Sequence, residues 1–589
     1  MGLQLISKIT AKIESSKNCG AESILFLVPP NITFDDFVNP PANISTIQKN
    51  GRQFGSVITD MPLGIISLSA YLKMHTGIKT YAIDFNVELN KDDEFKSSSF
   101  ESYFRGKLVE WKKGGGDVHY VCISALFTPA YHSIIDLSCL AKDVFRNSIV
   151  LVGGNFPSAM HRDILNDCQA IDAVCYGEGE IPMLEYLNAC NKKIYLDNSS
   201  SWVTHNSLAK KDFYPEKNLI WNLDEIPFLD YDLLDIEGYK LNPTVGRYSV
   251  KEQADHENVD SNDDNLQIGK IGFSMPVMTS RGCPFKCTFC ASHVGHGYDM
   301  RYHSLERVLS DIQKMVVKFK IDSVTIQDDH FMAGKDRPYQ IVDSIGRLHL
   351  GMFFQNALAI YALKADFLKL LKTSGVNALV LPIESGSARV LKELMRKPLK
   401  LDIVPEVMRN CRNAGIYTDC NIILGMPGET IEDIDDARKF LKTIYADWFR
   451  VFVATPIPGS DMYKTCVAND LFEVTPLKAN YKRAVVKTGS LSPGDIQRQT
   501  YLMNIELNFI HNSNMRLGNY DMAIHSFQSV LNVKPDHAFA HYYIAQAYNK
   551  IGLTEKFTEH NNLAVRYMEG SEFWQAIATH FEVDLCTPA

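Results

Sequence analysis

The sequence predicts an α/β multidomain protein: a doubly wound parallel sheet, then a partial barrel of six strand–helix units, then helical repeats. Three observations carry this. Residues 20–195 alternate short apolar runs with longer amphipathic ones. The alternation lapses over 196–270, then resumes for six more strand-like runs between 271 and 465. From about residue 500 the strand signal fades, and Gly518 and Gly552 recur 34 residues apart, as do Val530 and Ala564. At 589 residues the chain exceeds what one core holds, roughly 250–300 residues.

In the first domain, residues 1–195, the predicted strands are "SILFLVPP" (23–30), "IKTYAIDF" (78–85), "HYVCISALF" (119–127), "SIVLVGG" (148–154) and "IDAVCYG" (171–177). "PLGIISLSAYLKMHTG" (62–77) reads as a helix with Pro62 at its start and Gly77 at its end. Strand–helix alternation argues for parallel pairing, and ligands then bind beyond the carboxyl ends of the strands. Residues 196–270 read as a connector whose stretch "VKEQADHENVDSNDDNLQ" (250–267) is acidic and nearly free of apolar residues, the composition of a mobile loop.

The second domain, 271–465, has strand-like runs at 273–280, 322–329, 352–358, 377–385, 417–425 and 447–455. Helical segments such as "SLERVLSDIQKMVVKFK" (304–320) lie between them. Functional groups of such a barrel belong at the carboxyl ends of its strands. In the third, 466–589, "GNYDMAIHSFQSVLNVKP" (518–535) resembles the tetratricopeptide pattern, with repeats over 504–571. Two units are few for a free-standing solenoid, so the segment reads as a helical cap or a docking surface packed on the rest.

The net charge of −9 gives no electrostatic footprint for nucleic acid or anionic membrane, and no run is long enough to span a bilayer. The N-terminus lacks a secretory pattern. A reducing cytoplasm is the expected compartment, with most of the thirteen cysteines as buried thiols.

Three cysteines are bunched: Cys283, Cys287 and Cys290, in "RGCPFKCTFC" directly after the first barrel strand. A zinc site completed by His293 or His296, a redox pair within "CTFC", and a 4Fe-4S cluster with one iron left open are the three readings of the residues. The third explains why three ligands stand without a fourth nearby.

The spacing C-x3-C-x2-C, with the aromatic Phe289 before the last cysteine, resembles the signature of the radical S-adenosylmethionine (SAM) enzymes, and the resemblance extends over roughly 271–460. It implies a (β/α)6 partial TIM barrel, a 4Fe-4S cluster on Cys283, Cys287 and Cys290, and SAM on the open iron. "QDDHF" (327–331) stands where many members carry Gly-Gly-Glu, so Asp328 or Asp329 is implied to receive the SAM amino group, with helix capping as the plainer role. "IESGS" (383–387) is similar to the ribose-binding stretch, implying Glu384 and Ser385. "MRKP" offers Arg396 or Lys397 to the SAM carboxylate, Arg396 preferred. "NIILGMPGET" (421–430) resembles the adenine-binding strand and turn, with Gly425 and Gly428 permitting close approach. "TPIPGSDMY" (455–463) matches the end of the sixth strand.

The first domain resembles the Rossmann-like cobalamin-binding domain found upstream of one radical SAM subclass. The matching pieces are "MPLGIISLSAYL" (61–72), "YAIDFN" (81–86), "VCISALF" (121–127), "LVGGNFPS" (151–158) and "VCYGEGE" (174–180), followed by the connector "LDEIPF". The implied cobalamin contacts are Ser124, Thr128, Gly153, Gly154, Gly177 and Glu178. The Asp-x-His-x-x-Gly motif is absent. His132 lacks its context, so no histidine is expected on cobalt.

Together these imply a cobalamin-dependent radical SAM enzyme. The foremost expectation is a methyltransferase that methylates an unactivated carbon through methylcobalamin and a 5′-deoxyadenosyl radical. Rearrangement or cyclisation without methyl transfer, and a non-enzymatic cobalamin or redox sensor, are the alternatives. A tRNA methylthiotransferase would need a second three-cysteine cluster, which Cys122, Cys139, Cys168 and Cys175 do not form by spacing. The implied partners are a small-molecule, peptide or carrier-bound substrate and an external electron donor of flavodoxin or ferredoxin type, with no nucleic acid and no membrane.

Overall fold

The computed structural model describes residues 22–40, 46–240, 273–356, 358–478 and 483–583. The acidic stretch 250–267 lies outside the described residues. The described residues divide into two compact units: the first runs through the N-terminal elements as far as residue 240 and includes Val294–His296, and the second holds the other described residues.

The first unit is built on strands β1 (Ser23–Val28), β4 (Lys79–Asp84), β5 (Tyr120–Ser124), β6 (Ile149–Gly153), β7 (Ala173–Cys175) and β8 (Trp202–Val203). The two strands between β1 and β4 form a separate hairpin, β2 (Thr46–Lys49) with β3 (Arg52–Gly55), which the apolar pattern did not predict. The sheet order is β4-β1-β5-β6-β7-β8, parallel except for the antiparallel edge strand β8. Every residue of β1 is buried, as a strand covered on both faces requires. The chain steps from β1 to β4 on one side and then to β5 on the other, so the topological switch lies between β1 and β5, where such sheets open a crevice. The predicted helix forms as Leu63–Thr76 and stops at Gly77, whose φ of 68° makes the left-handed cap.

The second unit opens with β9 (Ser274–Val277), then the short antiparallel pair β10 (Ser280–Arg281) and β11 (Arg301–Tyr302). Next come β12 (Ser323–Ile326), β13 (Gly351–Phe354), β14 (Ala378–Glu384), β15 (Tyr417–Leu424) and β16 (Trp448–Val453). Six of these pair in parallel as two three-stranded sheets, β9-β12-β13 and β14-β15-β16. Each of the six is followed by a helix, as the alternation predicted. On β15, Thr418, Cys420, Ile422 and Leu424 are buried, and the Cys420 thiol lies 4.0 Å from Met408 Sδ on the helix Val404–Asn413. Asp419, Asn421 and Ile423 therefore occupy the opposite, inner face.

The C-terminal helices belong to the second unit. Gly518 and Gly552 each end a helical stretch at positive φ, 77° and 79°, so the 34-residue recurrence reports two equivalent helix stops. The helices share a core around Phe509, Phe527, Phe539 and Trp574. They are also tied to the barrel. Asn508 donates to the Phe449 carbonyl at 2.7 Å and accepts from its N–H at 2.8 Å, pairing the free edge of β16. Glu506 takes Lys442 at 2.9 Å, and Asn514 donates to Asp447 at 3.1 Å. An unpaired edge strand is an aggregation liability, and this segment covers it.

Candidate active site

The three cysteines sit in the loop closed by the β10–β11 pair. Gly282 opens it at φ 94°, and a Cβ there would lie 2.2 Å from the Asp299 carbonyl oxygen, so only glycine lets the two ends of the loop meet. Thr288, between Cys287 and Cys290, is the main anchor. Its N–H donates to the Met395 carbonyl at 2.9 Å and its hydroxyl to the Leu394 carbonyl at 2.6 Å. Its own carbonyl accepts from Met462 N–H at 2.8 Å. Leu394 ends the π-helix Val390–Leu394, and helix ends leave carbonyls without partners inside the helix. The cysteine loop takes two of them.

The same π-helix decides which cation reaches the loop. After it, Arg396 takes φ 50°. Its guanidinium is 59% exposed and bonds Asp461 at 3.1 Å. Lys397 turns the other way: it is 15% exposed, donates to Glu384 at 3.2 Å, and lies 5.9 Å from the centroid of the Phe289 ring. Burial pushes the Cys287 thiol up, and the nearby Lys397 charge opposes that shift. The structure thus places Lys397 rather than the preferred Arg396 beside the cysteines. Glu384, at φ 66° after a register shift in β14, closes the pair.

The two aspartates after β12 part company. Asp328 is buried, with its oxygens taken by Thr279 N–H and Thr279 hydroxyl at 2.6 Å each and by the Ser280 hydroxyl at 2.5 Å. It locks the end of β9 to the start of the cysteine loop. Asp329 is half-buried, accepts from Gly282 N–H at 3.3 Å, and acts electrostatically on Cys283. Of the two, Asp329 is the one placed at the loop.

Ser385 is fully buried and accepts from Ser387 N–H at 3.1 Å. Beside Gly425 the close neighbour is protein: a Cβ would lie 2.7 Å from Ile496 of the C-terminal helices. Gly428 donates to the Thr488 carbonyl at 2.9 Å.

Sequence reasoning missed several neighbours. Glu429 gathers the N–H groups of Gly425 and Met426 at 2.6 and 2.9 Å, and burial raises its carboxyl to about 7. His330 accepts or donates at 3.1 Å with the Tyr361 hydroxyl and packs 4.9 Å from the Phe285 ring of the loop. On the inner barrel face Arg450 pairs with Asp419, while Asp419 Oδ1 and Asn421 Oδ1 are buried without hydrogen-bond partners. Their signal was available: polar residues at alternate positions, Asp419 and Asn421, on a strand whose other face carries Cys420, Ile422 and Leu424.

In the first unit the implied cobalamin contacts gather at the carboxyl ends of β5, β6 and β7. Ser124 pairs with Gly153 across β5–β6. Gly154 has φ 102°, and a Cβ would lie 2.3 Å from the Ala125 carbonyl oxygen, so this glycine lets the β5 and β6 ends cross. Ser158 Oγ lies 2.8 Å from the Gly154 carbonyl and 3.2 Å from that of Cys175, and accepts from Gly177 N–H at 3.0 Å. Thr128 and Glu178 are buried, and Glu180 accepts from Ser67 at 2.6 Å. His132 is exposed on the helix Tyr131–Val144. His161 Nδ1 is 2.9 Å from the Ser158 carbonyl. A carbonyl only accepts, so Nδ1 carries the proton and Nε2 the lone pair; Nε2 is buried without a partner.

Both donor sets fit the groups the resemblance implies. The loop offers three half-buried thiols, soft ligands suited to iron–sulfur chemistry. Burial holds Cys283 up to about 11, so iron must displace its proton. Among the described residues no three His, Cys, Asp or Glu side chains converge on a single ion, as a zinc site with His293 or His296 would require. A cubane cluster instead takes each thiolate on a separate iron. In the sheet, the bare His161 nitrogen is an acceptor suited to a group rich in amide and hydroxyl donors, as cobalamin is. No helix among the described residues is long and apolar enough to cross a membrane.

Comparison with known proteins agrees. The Radical SAM superfamily model matches residues 277–441, and the B12 binding domain model matches 59–187. The chain is 28% identical to an uncharacterised methyltransferase of Pyrococcus horikoshii over 58% of this chain and 68% of that one. It is 25% identical to the cytidylyl-2-hydroxyethylphosphonate methyltransferase of Streptomyces wedmorensis over 74% of this chain and 83% of that one. Its fold matches the cobalamin-dependent SAM radical enzyme OxsB with a TM-score of 0.58, at 14% identity, covering 95% of this chain and 80% of that one. A B12-binding sheet and a radical SAM barrel in one chain make this protein a cobalamin-dependent radical SAM enzyme, with a 4Fe-4S cluster, SAM and cobalamin as its cofactors.

Proposed function

We propose that the enzyme methylates an unactivated carbon of a substrate held inside the barrel. The observation that carries this reading is the tandem itself: a three-thiol loop clamped at the barrel mouth, in a chain that also carries a cobalamin sheet. Bound together, the cluster and SAM supply a 5′-deoxyadenosyl radical, and cobalamin carries the methyl group. The chain's own residues supply position. Cys283, Cys287 and Cys290 would hold the cluster, with SAM beside it. Asp329 would receive the SAM ammonium and Lys397 its carboxylate, and Glu384 keeps Lys397 extended along Phe289. Asp328 holds the start of the loop to the end of β9, and Thr288 holds its middle to the end of the π-helix, so that this geometry does not depend on the ligand.

The substrate reading follows from the inner wall. Asp419, Asn421 and Arg450 suit a polar substrate, small or displayed on a peptide or carrier, whose donors satisfy the two orphaned oxygens. The electron comes from a one-electron donor of flavodoxin or ferredoxin type, in the cytoplasm. The test is anaerobic reconstitution with methyl-labelled SAM and a reductant. A product heavier by one labelled methyl group, with about four irons per chain, is the expected result. Radical formation with a product that carries no labelled methyl group would replace methyl transfer by rearrangement or cyclisation.

A further inference from the structure

Lys217 lies in the connector after β8, and its surroundings in the first unit are unusual for a lysine. Its stem packs flat on Gly177, where a Cβ would lie 2.8 Å from Lys217 Cγ. Its ammonium sits 5.3 Å from the centroid of the Tyr176 ring. Among the described residues it has no ion pair and no hydrogen bond; the charge that acts on it is that of Glu178. Burial pulls its pKa below the ordinary lysine value. A half-buried ammonium without an ion pair gives up hydration and regains a ring contact and the more distant attraction of Glu178.

The ammonium also has an address. Tyr176 and Gly177 follow β7 at the carboxyl edge of the sheet, where ligands of such sheets bind. Ser158 joins Gly154, Cys175 and Gly177 into one turn there, and His161 packs edge-on against Tyr176 at 5.8 Å. Cobalamin's corrin periphery is built of neutral amides. Its one fixed anion is the phosphodiester that joins the nucleotide tail to the ring. We propose that Lys217 is the anchor for that phosphodiester, so that the connector contributes to selecting corrinoids with a complete nucleotide tail. The inference rests on cobalamin binding at this sheet.

The test compares hydroxocobalamin with diaquacobinamide, which lacks the nucleotide and its phosphodiester. Both are titrated into the full-length protein, purified free of corrinoid, and followed by absorbance. Lys217→Met keeps the stem that covers Gly177 and removes the charge; Lys217→Arg keeps the charge. The wild type is expected to bind cobalamin at least about tenfold more tightly than cobinamide, the scale of one charge-assisted contact. Lys217→Met should lose most of that preference with cobinamide affinity unchanged, and Lys217→Arg should retain it. A Lys217→Met variant that keeps the full preference, or that weakens both corrinoids equally, would overturn the proposal while leaving the cobalamin site standing. No cobalamin binding by the wild type would overturn both. Melting temperature, read on the same samples, separates an unfolded variant from a binding-deficient one.

Discussion

The two cofactor regions are built by opposite means. At the barrel mouth the cysteine loop is cross-linked by side chains from several segments: Asp328 to Thr279 and Ser280, Asp329 to Gly282, and Thr288 to the π-helix end. At the sheet edge the work is done by backbone: Gly154 and Gly177 turn the chain, and one hydroxyl, Ser158, ties three residues together. A cluster needs thiols held apart at fixed corners, so the loop must be rigid before metal arrives. A large planar cofactor needs an open edge, and glycine turns leave one.

The sharpest way to break this comparison is to empty one site and read the other. Changing Cys283, Cys287 and Cys290 together to Ala should abolish iron binding and reductant-dependent SAM cleavage, while cobalamin affinity measured by absorbance stays within about twofold. Loss of cobalamin binding in that variant would mean that the sites are not separable.

Gly282→Ala should come next in size. The new Cβ meets the Asp299 carbonyl at 2.2 Å in a left-handed conformation, a steric and backbone cost of at least about 2 kcal/mol. Iron content per chain should fall several-fold without loss of the sheet's cobalamin affinity.

The lysine–arginine choice gives a contrast within the barrel. Lys397→Ala should raise the KM for SAM about tenfold or more, the loss of a charge-assisted contact. Arg396→Ala, which removes an exposed pair with Asp461, should change it by less than about twofold. The reverse ranking would restore Arg396 as the carboxylate ligand.

Asn508→Ala should leave both cofactors bound and lower stability by about 2 kcal/mol, since two hydrogen bonds to the β16 edge go and buried backbone groups lose their partners. Urea denaturation checks this.

The smallest effect concerns Glu429. Its carboxyl titrates near 7 when folded against a usual 4.5, so the folded state binds the proton more tightly. This contribution to stability is full below pH 4.5, declines as pH rises toward 7, and is flat beyond. The ceiling is about 3 kcal/mol for a shift of this size. Glu429→Gln, which keeps an acceptor for Gly425 and Met426, should flatten the fall in melting temperature between pH 5 and 7. An unchanged slope would remove Glu429 as its source.

Much of the fold was legible because burial writes itself locally. The five apolar runs predicted for the sheet and the six predicted for the barrel all form strands, since a strand covered by helices must bury apolar residues on each covered face. The β2–β3 hairpin was missed because its residues, "TIQKNGRQFG", carry almost no apolar alternation. The cysteine loop was legible because its spacing is a local property. The partners of its residues were not. Nothing in "MRKP" tells which basic residue turns inward; the π-helix and the positive φ of Arg396 decide that. Nothing in "QDDHF" shows that Asp328 is spent on the end of β9. Nothing around Gly425 announces Ile496, 71 residues further on.

The sequence by itself determined the order of the domains, the run of strands in each, and the three thiols on one loop. All are set by neighbours within about ten positions, where covalent geometry and side-chain period rule. Tertiary structure alone decided which carboxylate and which cation face the thiols, what packs against the glycines, and that the C-terminal helices cover the edge of β16. Those outcomes depend on which distant groups compete for the same hydrogen bonds and the same space, and that competition exists only once the chain has folded.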